Sequence, residues 1–300
     1  MGRALKRFSK ERKSLKIQKI TEDELDYVRA ICLDPSIGPQ STEAMRSGMT
    51  DRICWIRRMM QRGLEILVAL EKPKMERIHY KWAGNMLHAD LAVHRQVPKG
   101  LLESVPIEFT LEPVKGKNSL FIDCIWVLPP FWHTGVAKHL MKSFIDRAEQ
   151  FGGASVLAYE GDRWFGTSIE YMPSGFFEKF GFKEVARDES RVLLHLDLGA
   201  HEKPELIYPR SKSFEKNDKI IIDALFNSQC PWSKFMIDNA VKNMRKYPRV
   251  TVNIVKTDDR RTIEEFGLSR GICINGKPVI KRMASWKEIG TEIEKIQKLR

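Results

Sequence analysis

Apolar and polar positions alternate with two periods along this chain, and the sharpest change between them falls within residues 119–150. Positions 120–128 read LFIDCIWVL, apolar except for Asp123, as expected of a strand buried on both faces. Pro129 and Pro130 end the run, because proline cannot donate to a sheet ladder. Over 135–150 the period becomes helical, with Val136, Leu140, Phe144, Ile145 and Ala148 on one face. A buried strand, a short loop reaching Gly135 and an amphipathic helix together make an anion-binding device. The helix start offers unpaired N–H groups and the positive end of its dipole, and glycine lets backbone approach a phosphate.

The same patterning predicts the neighbouring elements. Thr21 with Glu24 forms a capping box for a helix to about Cys32, and Pro35, Gly38 and Pro39 break the chain. A second helix over 41–61 places Met45, Met49, Ile53, Ile56 and Met60 on one face and ends at Gly63. Strands follow at 64–70, 101–109, 120–128, 154–159 and 191–198, with a short helix near 175–180. Residues 72–99 mix charge with aromatics and hold His79, His88 and His94, and read as an insertion shaping a substrate mouth. No H-x-x-x-H or H-x-E pair accompanies these histidines, so no metal site is expected. A linker is expected over 201–216, and a second α/β unit over 217–300 in the order β-α-β-α-β-β-α. Its first strand runs into Cys230-Pro231-Trp232-Ser233 before a helix, and Asn275-Gly276 marks a hairpin.

Composition adds bounds. Three hundred residues suit two domains. No run of about 18 apolar residues occurs, so no membrane span is expected, and the N-terminus has no apolar segment of a secretory signal. Cys32, Cys54, Cys124, Cys230 and Cys273 are too scattered for a disulfide framework, which predicts a reduced, cytoplasmic protein. The net charge of +12 is uneven: residues 1–19 contribute +7, residues 217–300 another +7, and the remainder −2. The basic character therefore belongs to an N-terminal arm (1–18) and the C-terminal unit. Nucleic-acid binding is not expected, because no helix-turn-helix, zinc finger or aromatic platform accompanies the charge. Oligomeric state is open.

Trp132-His133-Thr134-Gly135-Val136-Ala137 resembles the Q/R-x-x-G-x-G/A acetyl-CoA motif of the GNAT N-acetyltransferases, with Trp in place of Gln or Arg. Gly175-Phe176-Phe177-Glu178-Lys179-Phe180-Gly181-Phe182 resembles that family's second signature, F-Y-E-K-x-G-F. The resemblance implies a GNAT domain over 19–200, a mixed α/β sheet flanked by helices, that transfers acetyl from acetyl-CoA to a small-molecule amine. By the same resemblance the amides of His133, Thr134, Gly135, Val136 and Ala137, assisted by Lys138, hold the pyrophosphate. A backbone N–H at Val127 or Leu128 polarises the thioester carbonyl. Glu108 or Asp123 is the candidate base. Phe177 stands where the family's thiolate-protonating tyrosine would fall, leaving Tyr171, Tyr159 or water for that proton.

The C-terminal unit resembles a small thioredoxin- or glutaredoxin-like domain. Cys230 at a helix start is the redox candidate, through monothiol chemistry, because Ser233 replaces the resolving cysteine. The family's cis-proline is missing near Ser269-Arg270-Gly271. Cys273 is a distant alternative partner. With Pro106-Ile107-Glu108, Ile125-Trp126-Val127 and Cys230-Pro231, the whole resembles the YoaP-type acetyltransferases over about 20–298. Alternatives are a CoA-binding module without efficient turnover, or thiol redox through Cys230.

Overall fold

The computed structural model describes residues 15–33, 39–71, 75–82, 85–92, 96–160, 172–199, 201–212, 219–283 and 285–298. Along the chain, β1 (Leu15–Lys19) leads to α1 (Asp26–Cys32) and α2 (Pro39–Met60), then to β2 (Glu65–Glu71). Strands β3 (Met75–Trp82) and β4 (Asn85–Ala92) pair as a hairpin inside the expected insertion. Next come β5 (Pro98–Pro106), β6 (Val114–Lys115), β7 (Leu120–Val127), α3 (Val136–Ala148) and β8 (Gly153–Tyr159). α4 (Ser174–Glu178), β9 (Lys183–Asp188) and β10 (Arg191–Asp197) complete the first sheet region. The remainder is β11 (Glu205–Leu206), β12 (Ile220–Phe226), α5 (Pro231–Met244), β13 (Val250–Lys256) and α6 (Arg260–Phe266). It closes with β14 (Gly271–Ile274), β15 (Lys277–Ile280) and α7 (Trp286–Lys298).

The larger sheet has seven strands in the order β1-β2-β5-β7-β8-β10-β9. β7 is central and almost wholly buried because helices cover both faces. On one side, Val28, Ile31, Met49, Trp55 and Ile56 of α1 and α2 pack on Leu101, Val105 and Phe121. On the other, Leu140, Met141 and Phe144 of α3 pack on Leu102, Ile122 and Ile125. All pairings in this sheet are antiparallel except β7 with β8, which are parallel over only three residue pairs, Leu120↔Ala154 to Ile122↔Val156. Beyond them the two strands part. The register with β5 jumps from Glu103↔Cys124 to Ser104↔Ile122, so Asp123 is the inserted residue of a bulge. The apolar run is thus interrupted where the sheet splits.

The smaller sheet has the order β13-β12-β14-β15. β12 is parallel to β13 and antiparallel to β14. Ile237, Ala240 and Met244 of α5 and Ile289 and Ile293 of α7 cover one face, against Ile220, Ile222 and Ala224. The element order expected from the sequence is the observed one.

Three expectations need correction. The N-terminal arm does not run free to residue 18: Leu15–Lys19 pairs with β2 as an edge strand. The strand predicted at 101–109 stops at Pro106, and Ile107–Phe109 is a 3-10 turn whose first amide donates to Ser119 O at 2.9 Å. The expected linker is packed along part of its length. Glu205–Leu206 pairs with β6, Leu206 is buried, and Lys212 N donates to Gly276 O at 2.8 Å. The two units consequently share apolar contacts: Ile263 joins the core beside α1 and α2, and Met283 joins the core beside α3. At Gly48 of α2 a Cβ would lie 3.3 Å from the Cα of Pro231, so glycine admits α5 at close range. Among the described residues no helix is long and apolar enough to cross a membrane.

Candidate functional site

The site begins with the loop between β7 and α3. Gly135 caps α3 at φ +90°, and no side chain supplies the cap. The first intrahelical bond is His139 N to Gly135 O at 3.1 Å, so the amides of Val136, Ala137 and Lys138 precede the helical ladder and face outward from its positive end. Gly135 is required by conformation rather than by space, since an added Cβ would meet nothing nearer than the His139 ring at 3.9 Å. His133 also has positive φ, +60°. The loop is braced by Thr134 Oγ1 donating to Phe131 O at 2.6 Å and by Trp132 Nε1 donating to Val127 O at 2.7 Å. Trp132, at the signature position, therefore serves the loop with its ring nitrogen and meets Trp126 edge-on at 6.0 Å.

The two amides nominated to polarise a carbonyl part company. Leu128 N donates to Lys99 O at 2.9 Å and is used. Strand alternation then turns the Val127 N–H the other way, into the split between β7 and β8.

The nominated acids separate as well. Glu108 is exposed in the 3-10 turn beside the start of β7. That is about 20 Å along the strand from Val127, counted at the usual rise per residue. It cannot reach chemistry at the α3 N-terminus, and its nomination is corrected. Asp123 is 1 % exposed at the bulge. Thr110 Oγ1 donates to its Oδ1 at 2.7 Å, and Oδ2 has no partner among the described residues. Burial raises its pKa well above the usual carboxylate range, Glu112 and Glu103 add to the rise, and Thr110 and Arg270 oppose it. Tyr171 lies outside the described residues. Phe177 is fully buried against Phe176 and Phe182 and brings no hydroxyl. Tyr159 ends β8 and, carried forward from Leu120↔Ala154, stands across the split from Ile125. Burial raises its pKa, so its phenol holds its proton.

The second unit is packed against this split. Arg52 of α2, 2 % exposed, pairs with the fully buried Glu103 of β5 and donates to Gln229 O. Gln229 Nε2 donates to Asp123 O at 2.7 Å, and Gln229 Oε1 accepts from Arg270 Nη2 at 2.9 Å. Arg270 Nη2 also reaches Glu112 Oε1 at 2.7 Å, and Ser269 Oγ donates to Glu112 Oε2 at 2.6 Å. A continuous buried polar chain thus holds the β12–α5 loop on the open part of β7.

Cys230 is the N-cap of α5 with Pro231 at the first helical position. It faces a cavity of about 130 Å³ whose wall includes Cys32, Arg52, Cys124, Trp126 and Trp232. Burial pushes the Cys32 thiol up to about 11, with Arg52 opposing and Glu103 and Cys230 adding. Cys273 is buried in β14, its thiol pushed up to about 12 chiefly by burial. It is a core residue, and the thiols facing Cys230 belong to the other unit. Sequence reasoning missed Cys32 and Arg52 entirely and read Cys124 only as a packed thiol. They are too far from Cys230 in the chain for any spacing to announce them. Among the described residues no group of His, Cys, Asp or Glu has metal-holding geometry.

Residues 56–182 match the family model described as acetyltransferase (GNAT) family, a span that takes in β7, the split and α3. A Bacillus subtilis (strain 168) protein described as uncharacterized N-acetyltransferase YoaP is 25 % identical over 165 residues. The match spans 53 % of this chain and 63 % of that protein, under two thirds of its length. Among solved structures, the PaiA N-acetyltransferase of Thermoplasma acidophilum in complex with coenzyme A shows 13 % identity and a TM-score of 0.38, covering 61 % of this chain and 99 % of that one. The Escherichia coli GNAT protein YhbS in complex with CoA shows 12 % identity and a TM-score of 0.37, covering 62 % and 82 %.

Proposed function

We propose, from the premise that residues 56–182 form a GNAT-family acetyltransferase domain of the acyl-CoA N-acyltransferase class with acetyl-CoA as co-substrate, that this protein acetylates a small-molecule amine. One juxtaposition carries the reading. The split between β7 and β8 opens beside a helix N-terminus whose first amides are unbonded, so a slot for a thioester arm adjoins a cradle for its phosphates.

In this reading the amides of His133 and of Gly135 to Ala137 and the charge of Lys138 receive the pyrophosphate, while the nominated Thr134 amide is already engaged by Phe131 O at 3.4 Å. The Val127 N–H receives the thioester oxygen as charge develops on it. The amine nitrogen attacks the carbonyl carbon, the C–N bond forms and the C–S bond breaks. The amine proton passes through intervening water to Asp123 in its ionised form, whose Oδ2 is unbonded and which lies about 13 Å along β7 from Val127. The departing sulfur takes a proton from Tyr159, which supplants the position held by Phe177. Calorimetric titration of the purified chain with acetyl-CoA tests the premise of the site. Saturable heat is expected, and its absence would overturn the reading.

A second reading concerns the C-terminal unit. Its β-α-β-α-β-β-α order and β13-β12-β14-β15 sheet support a thioredoxin-like assignment. Monothiol exchange at Cys230 is favoured by the two further thiols in the same cavity wall. Its measure is the pH dependence of Cys230 alkylation. An unreactive thiol across the neutral range would dismiss it.

A further inference from the structure

Three of the chain's five cysteines line a single cavity, and two of the three come from elements of one unit while the third caps a helix of the other. The cavity adjoins β7 at Cys124 and Trp126, on the stretch where β7 has left β8. Its floor belongs to α1, α2 and the larger sheet; its roof is Gln229, Cys230, Pro231 and Trp232 of the smaller unit. A space of about 130 Å³ is close to the 150 Å³ that accommodates benzene in an apolar protein interior, so it takes about six to eight non-hydrogen atoms. Its walls are mostly ring, thiol and aliphatic surface.

One polar feature points to a ligand. Arg52 is in the wall and nearly fully buried, and its Nε has no hydrogen-bond partner among the described residues. A buried guanidinium N–H left unbonded is costly, and an oxygen acceptor in the cavity would satisfy it. The charge balance narrows the choice further. Both guanidinium groups of the wall, Arg52 and Arg270, are already paired, with Glu103 and Glu112. Those carboxylates are outside the wall. A second ammonium entering the cavity would be buried without a counter-charge of its own.

We infer that this interdomain cavity is the acceptor pocket, and that its ligand is a compact amine with an apolar body and one oxygen acceptor, of the kind found in small aliphatic amino acids and their amides. The inference rests on the transferase reading above and deepens it. The C-terminal unit becomes the roof of the acceptor site, and Trp126, Trp232 and Arg52 become its specificity residues. Polyamines are excluded by charge rather than by size.

The test uses the full chain carrying Cys54→Ser, which removes the exposed thiol of α2. N-ethylmaleimide is applied with and without saturating valine, valinamide or 1,4-diaminobutane, and modification of Cys32, Cys124 and Cys230 is read by peptide mass. Acetyl-CoA binding is measured calorimetrically on the same protein. Valine or valinamide is expected to slow alkylation of Cys230 several-fold and to be acetylated, while the diamine, though small enough to enter, does neither. Valine over valinamide assigns the Arg52 partner as a carboxylate, and the reverse order assigns a neutral carbonyl. Trp232→Ala is expected to raise the amine KM about tenfold, the scale of losing a buried aromatic anchor, with acetyl-CoA affinity unchanged. Equal protection by the diamine, or none by either valine compound while acetyl-CoA still binds, overturns the pocket assignment alone. Absence of acetyl-CoA binding overturns the transferase reading instead.

Discussion

Two strand–loop–helix junctions in this protein, β7 to α3 and β12 to α5, are made from similar local parts and end in opposite surroundings. Each has a largely buried strand, a short loop and a helix start, but at α5 Pro231 has no amide and Ser233 N already donates to Cys230 O at 3.0 Å. At α3 the approach is open: Trp132, His133 and Thr134 are exposed, and glycine in a left-handed conformation is the cap. At α5 the approach is closed. Asn227, Ser228 and Gln229 are buried, Ser228 N donates to Asp258 Oδ1 at 2.7 Å, and Gln229 is tied into the other unit. The difference teaches that a helix start is an anion site only where its surroundings leave it one. The α3 end is left open, whereas the α5 end is spent on positioning Cys230 and roofing a cavity.

The largest effect is expected from breaking the closed junction. Glu112→Ala removes the carboxylate that accepts from both Ser269 and Arg270, leaving a buried guanidinium without its counter-ion. A destabilisation of about 3–5 kcal/mol is expected, read by urea denaturation, and a loss under 1 kcal/mol would show the polar chain to be incidental. The open junction is broken by Gly135→Glu, which puts a β-carbon at φ +90° and a carboxylate at the phosphate cradle. A loss of acetyl-CoA affinity of about 100-fold, or about 2.8 kcal/mol, is expected with the circular dichroism spectrum kept. Unchanged affinity would move the cofactor elsewhere.

Asp123→Asn sharpens the comparison at the point where the two units meet. The folded pKa of Asp123 is raised by burial. The carboxyl therefore keeps its proton to a higher pH in the folded chain than in the unfolded chain, and it acts as a base only once ionised. Stability is full below about pH 4 and falls as pH rises beyond it, by up to about 1.4 kcal/mol per unit. The asparagine variant lacks this loss, so its melting temperature should gain on the wild type between pH 5 and 7 while kcat falls. Parallel melting curves across that range would refute the buried-acid account. The smallest effect is expected at Glu108→Gln, because the residue is exposed and remote from the split. Its kcat/KM should match the wild type, and a tenfold drop would restore it as a base.

Much of this was legible in the chain. The apolar run at 120–128, the helical face beginning at Val136, the capping box at Thr21 and the Asn275-Gly276 turn each follow from local rules. The α3 N-terminus was legible for the same reason: proline, glycine and a change of period are neighbours in sequence. Glu108 was misjudged because a carboxylate at a strand end looks alike at either end of the strand, and only antiparallel pairing with β7 decides which. Asp123 was singled out by its position in an apolar run, while its pairing with Thr110 and its lone Oδ2 depend on a loop ten residues away or more.

The sequence by itself determined most helices, the buried strands and the glycine-capped start of α3, since these depend on residues within a turn or two of one another, whereas edge strand β1 and the β3–β4 hairpin were not legible in it. The tertiary structure alone decided what stands around Cys230. Cys32, Arg52, Cys124 and Arg270 lie on α1, α2, β7 and the turn before β14, and no periodicity relates them. They meet because α5 packs on α2 at Gly48 and because a bulge at Asp123 parts β7 from β8. Burial then sets their chemistry, raising the Cys32 thiol and the Asp123 carboxyl through loss of water. Solvation is a property of the assembled chain, and it cannot be read one residue at a time.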